Sequence, residues 1–349
     1  MTADTAALPA ADPTSPGLWQ LATRRLRRDR VGSISLVVVL LFVLVSVAAA
    51  LGVVAEDWQD EVGVSYAPPS FLGRGAAAPD AVTAAQTAID RSSPEAIAIP
   101  DPLAEDLAEI AKSLTGTGAG AQRAATLPFG ADKWGRDVLA KTIKGTQTSL
   151  LVGLASALVA TLLGTLFGAA AGFMGGRTDA IFNWLYSVLT SIPYLLLILA
   201  IAAVLGQKGT ATVVLILGLT GWTGIFRLVR AEYLKHKVRE YVVAADAIGA
   251  SRARRMFVHI LPNVGHVVLV QLSLHVVLFI KSEVILSFLG FGVGVDTVSW
   301  GSMLSEAQNE LLIGKWWQLA AATAAMAALV TTFSLFTDAL RDALDPRLT

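Results

Sequence analysis

Charged side chains are spaced along this chain in a way that leaves long apolar stretches between them. Residues 33–54, 146–174, 180–207, 209–226 and 316–337 contain no Asp, Glu, Lys or Arg. Another apolar stretch begins at Val264 and is interrupted at its far end by Lys281 and Glu283. A membrane-spanning helix needs roughly 17–25 predominantly apolar residues, so the pattern predicts six spans, the last opened by the interfacial pair Trp316 and Trp317. Five arginines between Arg24 and Arg30 precede the first run. A cleaved leader is the competing reading there, but its apolar core covers only about 7–15 residues. The run is therefore read as an uncleaved first span.

The polar segments divide the rest. Residues 1–17, with Pro9, Pro13 and Pro16 among Ala, Thr and Asp, read as a disordered tail. Residues 55–145 form a long acidic connection with 13 Asp or Glu against 8 Lys or Arg. Within it, Leu103, Leu107, Ile110, Ala111 and Leu114 share a helical face and predict a helix over 102–114. The layout is then a tail at 1–32, span one at 33–54, an outer loop at 55–145, a core at 146–340 that includes an inner loop at 227–263, and a tail at 341–349. No internal repeat is visible.

Composition agrees with this division. The chain of 349 residues is 54% hydrophobic and 15% charged, with 27 basic and 27 acidic residues. Soluble domains carry about 25% charged residues, and nucleic-acid binders show a basic excess; neither class fits. Sixteen Lys and Arg fall in the short segments on the side of the N-terminus, and the positive-inside rule then predicts both termini in the cytoplasm.

Several chemistries find no support. With no cysteine there is no disulfide, thiolate nucleophile or cysteine metal site. No G-x-x-x-x-G-K-[ST] run exists to cradle ATP phosphates. Gly290, Gly292 and Gly294 miss dinucleotide-binding spacing and read as a turn at the membrane boundary. His236, His259, His266 and His275 lack an i,i+4 partner. His266 and His275 fall in the fifth span, where a bond to a neighbouring helix is the simplest reading.

The informative stretch is 240–263, in the inner loop. It reads as two short helices separated by Gly249, which permits a turn that a side chain would obstruct. Ala244, Ala245 and Ala247 keep the first helix slim enough for close approach of a partner, and Pro262 opens the fifth span. A basic solvated loop explains the arginines, but not the small residues, the glycine and Leu261-Pro262 together.

This arrangement resembles the E-A-A loop of ABC importer permeases, E-A-A-x-x-x-G-x9-I-x-L-P. Val243, Ala244, Ala245, Gly249, His259, Leu261 and Pro262 occupy its seven defined positions, with departures at Val243 and His259. The variant beginning Glu240-Tyr241, with Ala250 and Ser251 after the glycine, is similar to the oligopeptide, dipeptide and nickel branch. Three further segments resemble that branch: Phe129 to Leu139 (F-G-T-D-x-x-G-R-D-V-L), Leu286 to Gly292 with Ser299 to Leu304 (L-S-F-L-G-F-G and S-W-G-x-M-L), and Leu340 to Arg347 (L-R-D-A-L-D-P-x).

The resemblance implies an all-helical type I permease fold and a C-type pore-forming subunit without a cofactor of its own. Its partners would be a homologous B-type permease, two ABC ATPase subunits that bind ATP and Mg, an extracytoplasmic solute-binding protein and the lipid bilayer. Glu240, Tyr241, Ala244, Ala245, Gly249, Ala250, Ser251, Leu261 and Pro262 would form the loop that docks on an ATPase. Cargo would be a peptide, with nickel, glutathione or another small solute as the alternative. Outside the class stands a membrane scaffold or receptor whose outer loop binds ligand. Lys281 and Glu283 point about 200° apart on a helix, so each needs its own partner. Related permeases carry an acidic residue ahead of L-S-F-L-G, which implies that Glu283 faces the second permease or the outer gate and accepts hydrogen bonds from a basic or amide group.

Overall fold

The computed structural model describes residues 18–73, 123–294 and 296–344, and their regular structure is helical. The tail at 1–17 and the helix expected over 102–114 lie outside the described residues. In order, the helices are α1 (Leu18–Arg28), α2 (Arg30–Ala50), α3 (Val138–Met174), α4 (Gly176–Thr190), α5 (Tyr194–Leu205), α6 (Thr210–Thr220), α7 (Thr223–His236) and α8 (Glu240–Ala247). They continue with α9 (Arg252–Phe288), α10 (Trp300–Leu312) and α11 (Trp317–Leu344). Five units are long and apolar enough to cross a membrane: α2, α3, α6 with α7, α9 and α11.

The run expected as one straight span over 180–207 is instead two helices. Helices α4 and α5 are bent by 87° against one another around Pro193, whose ring and missing N–H break a continuous ladder. Two other boundaries move. Helix α3 starts eight residues before the expected 146, because Asp137 caps it by accepting from the Leu139 amide at 2.8 Å. At 37 residues it is about 55 Å long, well beyond a hydrocarbon core of about 30 Å. Residues 227–236, expected in the inner loop, instead continue α7 to its end.

Helix α3 is the hub and packs against α2, α6, α7, α9 and α11. Its contact with α7 is made by Gly164, Gly168 and Gly172, a small residue on every turn of one face. A Cβ at these positions would lie 1.9 Å from Ile225 Cγ2, 2.8 Å from the Phe226 carbonyl and 2.7 Å from the Arg230 carbonyl. Only glycine lets the two backbones meet this closely. Phe167 stacks on Phe182 at 4.8 Å and meets the edge of Trp222 at 5.2 Å, drawing α4 onto the same pair. Arg230 Nη2 donates to Asp179 at 2.7 Å and fixes the N-terminal end of α4 to α7.

At the opposite end, residues 51–73 and 123–137 pair through short backbone bonds, among them Gly63 N to Gly135 O at 2.9 Å and Ala131 N to Ala67 O at 2.8 Å. Trp317 Nε1 donates to the Ala131 carbonyl at 2.7 Å, seating this cap on α11. Lys141, buried in the first turns of α3, donates to Asp132 and Glu306 at 2.7 Å each and to Gln318 Oε1 at 3.2 Å. One ammonium thereby joins the cap, α3, α10 and α11.

Candidate functional site

The inner loop is short once its true ends are known. Helix α7 reaches His236, two residues turn, and α8 begins after Arg239. Val242 and Ala245, three apart on α8, are both buried, and Val242 packs into a core made with Tyr233, Met256 and Ile260. Tyr233 Oη donates to the Met256 carbonyl at 3.1 Å and locks α7 to the start of α9. The other face of α8 is open. Val243 is 56% exposed and Ile248, just past the helix, is 86% exposed, with Tyr241 and Ala244 also exposed.

Gly249 ends α8 with φ at +83°. The Gly249 amide donates to the Asp246 carbonyl and the Ala250 amide to the Ala245 carbonyl, both at 2.9 Å. These are the two bonds of a Schellman motif, which requires a left-handed residue at the glycine. Ser251 follows and caps α9 by accepting from the Arg254 amide at 3.3 Å. Arg255 reaches back across the turn to Asp246 at 2.7 Å, while its guanidinium lies 5.6 Å from the centre of the Phe173 ring. Both arms and the C-terminal end of α3 are thus fastened together. His236 Nδ1 lies 2.9 Å from Tyr241 Oη. Partial burial raises the pKa of the Tyr241 phenol above its ordinary value.

The second arm is not the separate short helix expected from the sequence. It is the first turn of α9, continuous with the span through a π-helical stretch at Arg255–Ile260. Pro262 sits just after that stretch. Its ring would clash with the carbonyl four residues earlier in a regular helix, and the wider π turn removes the conflict. Gly249 is therefore the one break between α8 and a rod that runs to Phe288.

The sequence-derived residues fall in two places. Glu240, Tyr241, Ala244, Ala245, Gly249, Ala250, Ser251, Leu261 and Pro262 lie together on this loop: Ala245 is buried, Ala250 and Leu261 are half-buried, and the others are exposed. Glu283 lies far from it, in the interior of this chain. Its side chain is 0% exposed, and its partners are serine hydroxyls rather than a basic or amide group. Ser149 Oγ donates to Oε2 at 2.8 Å and Ser287 Oγ to Oε1 at 2.7 Å. The reason is helical register: Lys281 takes the open side of α9, and Glu283 is turned toward α3. His275 lies in the same interior with Nδ1 3.5 Å from Thr161 Oγ1 on α3.

Sequence reasoning missed the Arg255–Asp246 tie, which no spacing rule announces, and the outward Val243 and Ile248. The latter were legible in retrospect: on an eight-residue helix, Val242 and Ala245 take the inner face and leave Val243 outside. Among the described residues no three His, Cys, Asp or Glu side chains converge as a metal site.

Known proteins align with the same segments. The family model described as binding-protein-dependent transport system inner membrane component matches residues 164–349, and that for the N-terminal TM domain of oligopeptide transport permease C matches residues 17–69. The chain is 38% identical over 220 residues to the dipeptide transport system permease protein DppC of Bacillus subtilis (strain 168), covering 63% of this chain and 68% of that one. It is 37% identical over 220 residues to the oligopeptide transport system permease protein OppC of the same organism, covering 63% and 72%. To OppC of Haemophilus influenzae it is 36% identical over 219 residues, covering 63% and 70%. The inner loop, the bent pair and the buried Glu283 all lie within the larger family match, and the chain belongs to the binding-protein-dependent transport system inner membrane components, the permease subunits of ABC importers.

Proposed function

We propose that this chain forms half of a translocation path for peptides and that α8 with the Gly249 turn couples the path to a partner ABC ATPase. A homologous B-type permease supplies the other half, and an extracytoplasmic binding protein delivers cargo. Two ATPase subunits bind ATP and Mg and carry out the hydrolysis. Both termini and the α8 loop face the cytoplasm. Peptide as cargo is supported by the names of the relatives, which are dipeptide and oligopeptide permeases. Membership of the permease family removes the support for a scaffold or receptor.

The observation that carries the coupling reading is the two-sided character of α8. Its inner face is locked to α7 and α9, while Val243 and Ile248 stand in the open on a polar end of the protein. Burying such a side chain in a partner contributes about 1.5–3 kcal/mol. Movement of a docked α8 passes directly into α9, because only the Gly249 turn and the Arg255–Asp246 tie lie between them. Such a lever is what alternating access requires.

The test is the double variant Val243→Asp with Ile248→Asp in the assembled importer. Membrane level of the permease should stay normal while copurifying ATPase and peptide uptake fall at least tenfold. Normal ATPase recovery and uptake would refute the docking role. Orientation is checked with single cysteines in a chain that has none: an impermeant maleimide on intact cells should label Ser70→Cys and spare Ser251→Cys.

A further inference from the structure

One face of α9 is partly open along the span: Asn263, Leu274, Leu278 and Lys281 are exposed on it, and Val267 and Val270 between them are half-buried. Asn263, Leu274 and Lys281 share it, with Gln271, Leu278 and His266 at its sides. Asn263 and Lys281 are five full turns apart, about 27 Å, close to the thickness of a hydrocarbon core of about 30 Å. Leu274 is 42% and Leu278 40% exposed, and Asn263 and Lys281 are exposed. Polar and ionisable groups within a span face protein or a water-filled cavity far more often than lipid.

The inner end of this face opens into a cavity of about 890 Å³ between α7, α9 and α11. Its rim carries Lys235, Arg239 and Arg341. Glu232 is the only acid in the lining, and it is already engaged by Lys235 at 3.3 Å and His236 at 3.5 Å. At the other end, Lys281 makes no ion pair among the described residues. Both ends of one partly open, partly polar stripe are therefore positively charged.

Resting on the reading of the chain as half of a translocation path, we propose that this face of α9 lines the aqueous route and that its cations favour cargo carrying an anionic group, such as a peptide carboxylate. Lys281 meets that group near the outer mouth, and Arg239 and Arg341 receive it at the inner cavity. The apolar Leu274 and Leu278 between them leave the carboxylate no fixed partner, so it passes rather than binds.

The test uses Leu274→Cys and Leu278→Cys in the cysteine-free chain, assembled with its partner permease and ATPases. Water-soluble anionic and cationic methanethiosulfonates are applied in the resting and the nucleotide-trapped states. Both cysteines should react in at least one state, whereas Leu40→Cys on α2 should not. The anionic reagent should react faster relative to a free thiol, and Lys281→Gln should lower the anionic-to-cationic rate ratio at Leu278→Cys by about three- to tenfold, the effect of one charge about 7 Å away in water. Cysteines silent in both states would mean that the face is packed against lipid or protein, overturning the proposal. Reaction with a ratio unmoved by Lys281→Gln would overturn the charge preference. Neither result bears on docking of α8, which is tested separately.

Discussion

Arg255 Nη1 lies 2.7 Å from the Asp246 carboxylate, bridging the turn that separates α8 from the long rod of α9. A half-exposed ion pair contributes only about 0–1 kcal/mol by itself. Arg255 also covers the Phe173 ring, so it holds α8, α9 and α3 at one point. Asp246→Asn should lower peptide uptake less than twofold, and Arg255→Ala at least fivefold, at equal membrane level. Uptake by reconstituted complexes, with ATPase activity measured alongside, checks this; Arg255→Ala should hydrolyse ATP without moving cargo.

Gly249 is constrained by its backbone rather than by space. A Cβ there would meet nothing within 4 Å, but φ is +83°. A non-glycine residue in this region costs about 1–2 kcal/mol, and Asn tolerates it better than most. Uptake should therefore fall in the order Asn, Ala, Trp, with Gly249→Trp inserted normally but inactive. Equal uptake for Ala and Trp would show that bulk at the docking surface does not matter.

The Glu283 carboxylate holds two serine hydroxyls, and Ser149 Oγ also accepts from the Trp300 amide at 3.4 Å. It therefore organises the junction of α3, α9 and the start of α10. Glu283→Leu leaves those hydroxyls without their acceptor, at a cost of about 1–3 kcal/mol. Thermal unfolding in detergent should show Glu283→Leu well below the parent and Glu283→Gln close to it. An equal loss for both would point to the negative charge itself.

Glu310 on α10 is buried, and neither carboxylate oxygen makes a hydrogen bond of ordinary geometry among the described residues. Burial pushes its pKa up to about 7, against the lowering effect of Lys141 and with Asp132 and Glu306 adding to the rise. The folded pKa thus exceeds the ordinary carboxyl value of 4.5. Its contribution to stability is fully present below about pH 4.5 and is lost as pH rises through about 7. Melting temperature should fall between pH 5 and 8 in the parent, and Glu310→Gln should flatten that slope.

Much of this was legible in the primary structure, for physical reasons that differ by element. Span two was found from its uncharged run, yet its first turns were lost because Lys141 and Lys144 end such a run. Of the three partners that let Lys141 stay buried, Asp132 is near in sequence, but Glu306 and Gln318 lie more than 150 residues away. The break in span three was written in Pro193, but unbroken hydrophobicity around it hid the bend. Gly164, Gly168 and Gly172 announce a close helix contact by spacing alone and went unread. The Gly249 turn was legible because a left-handed residue is a local requirement. The burial of Glu283 was not, since it depends on which helix α9 faces.

Coupling requires that α8 be the surface an ATPase grips. A photo-crosslinking amino acid placed at Ile248 in the assembled, transport-competent complex tests it most directly, with Leu312, 85% exposed near the opposite end of the protein, as control. Irradiation should join the Ile248 position to an ATPase subunit, and the yield should change when nucleotide is trapped; Leu312 should give no such product. An ATPase adduct absent at Ile248 in an active complex, or formed from Leu312 instead, would show that α8 is not the docking surface.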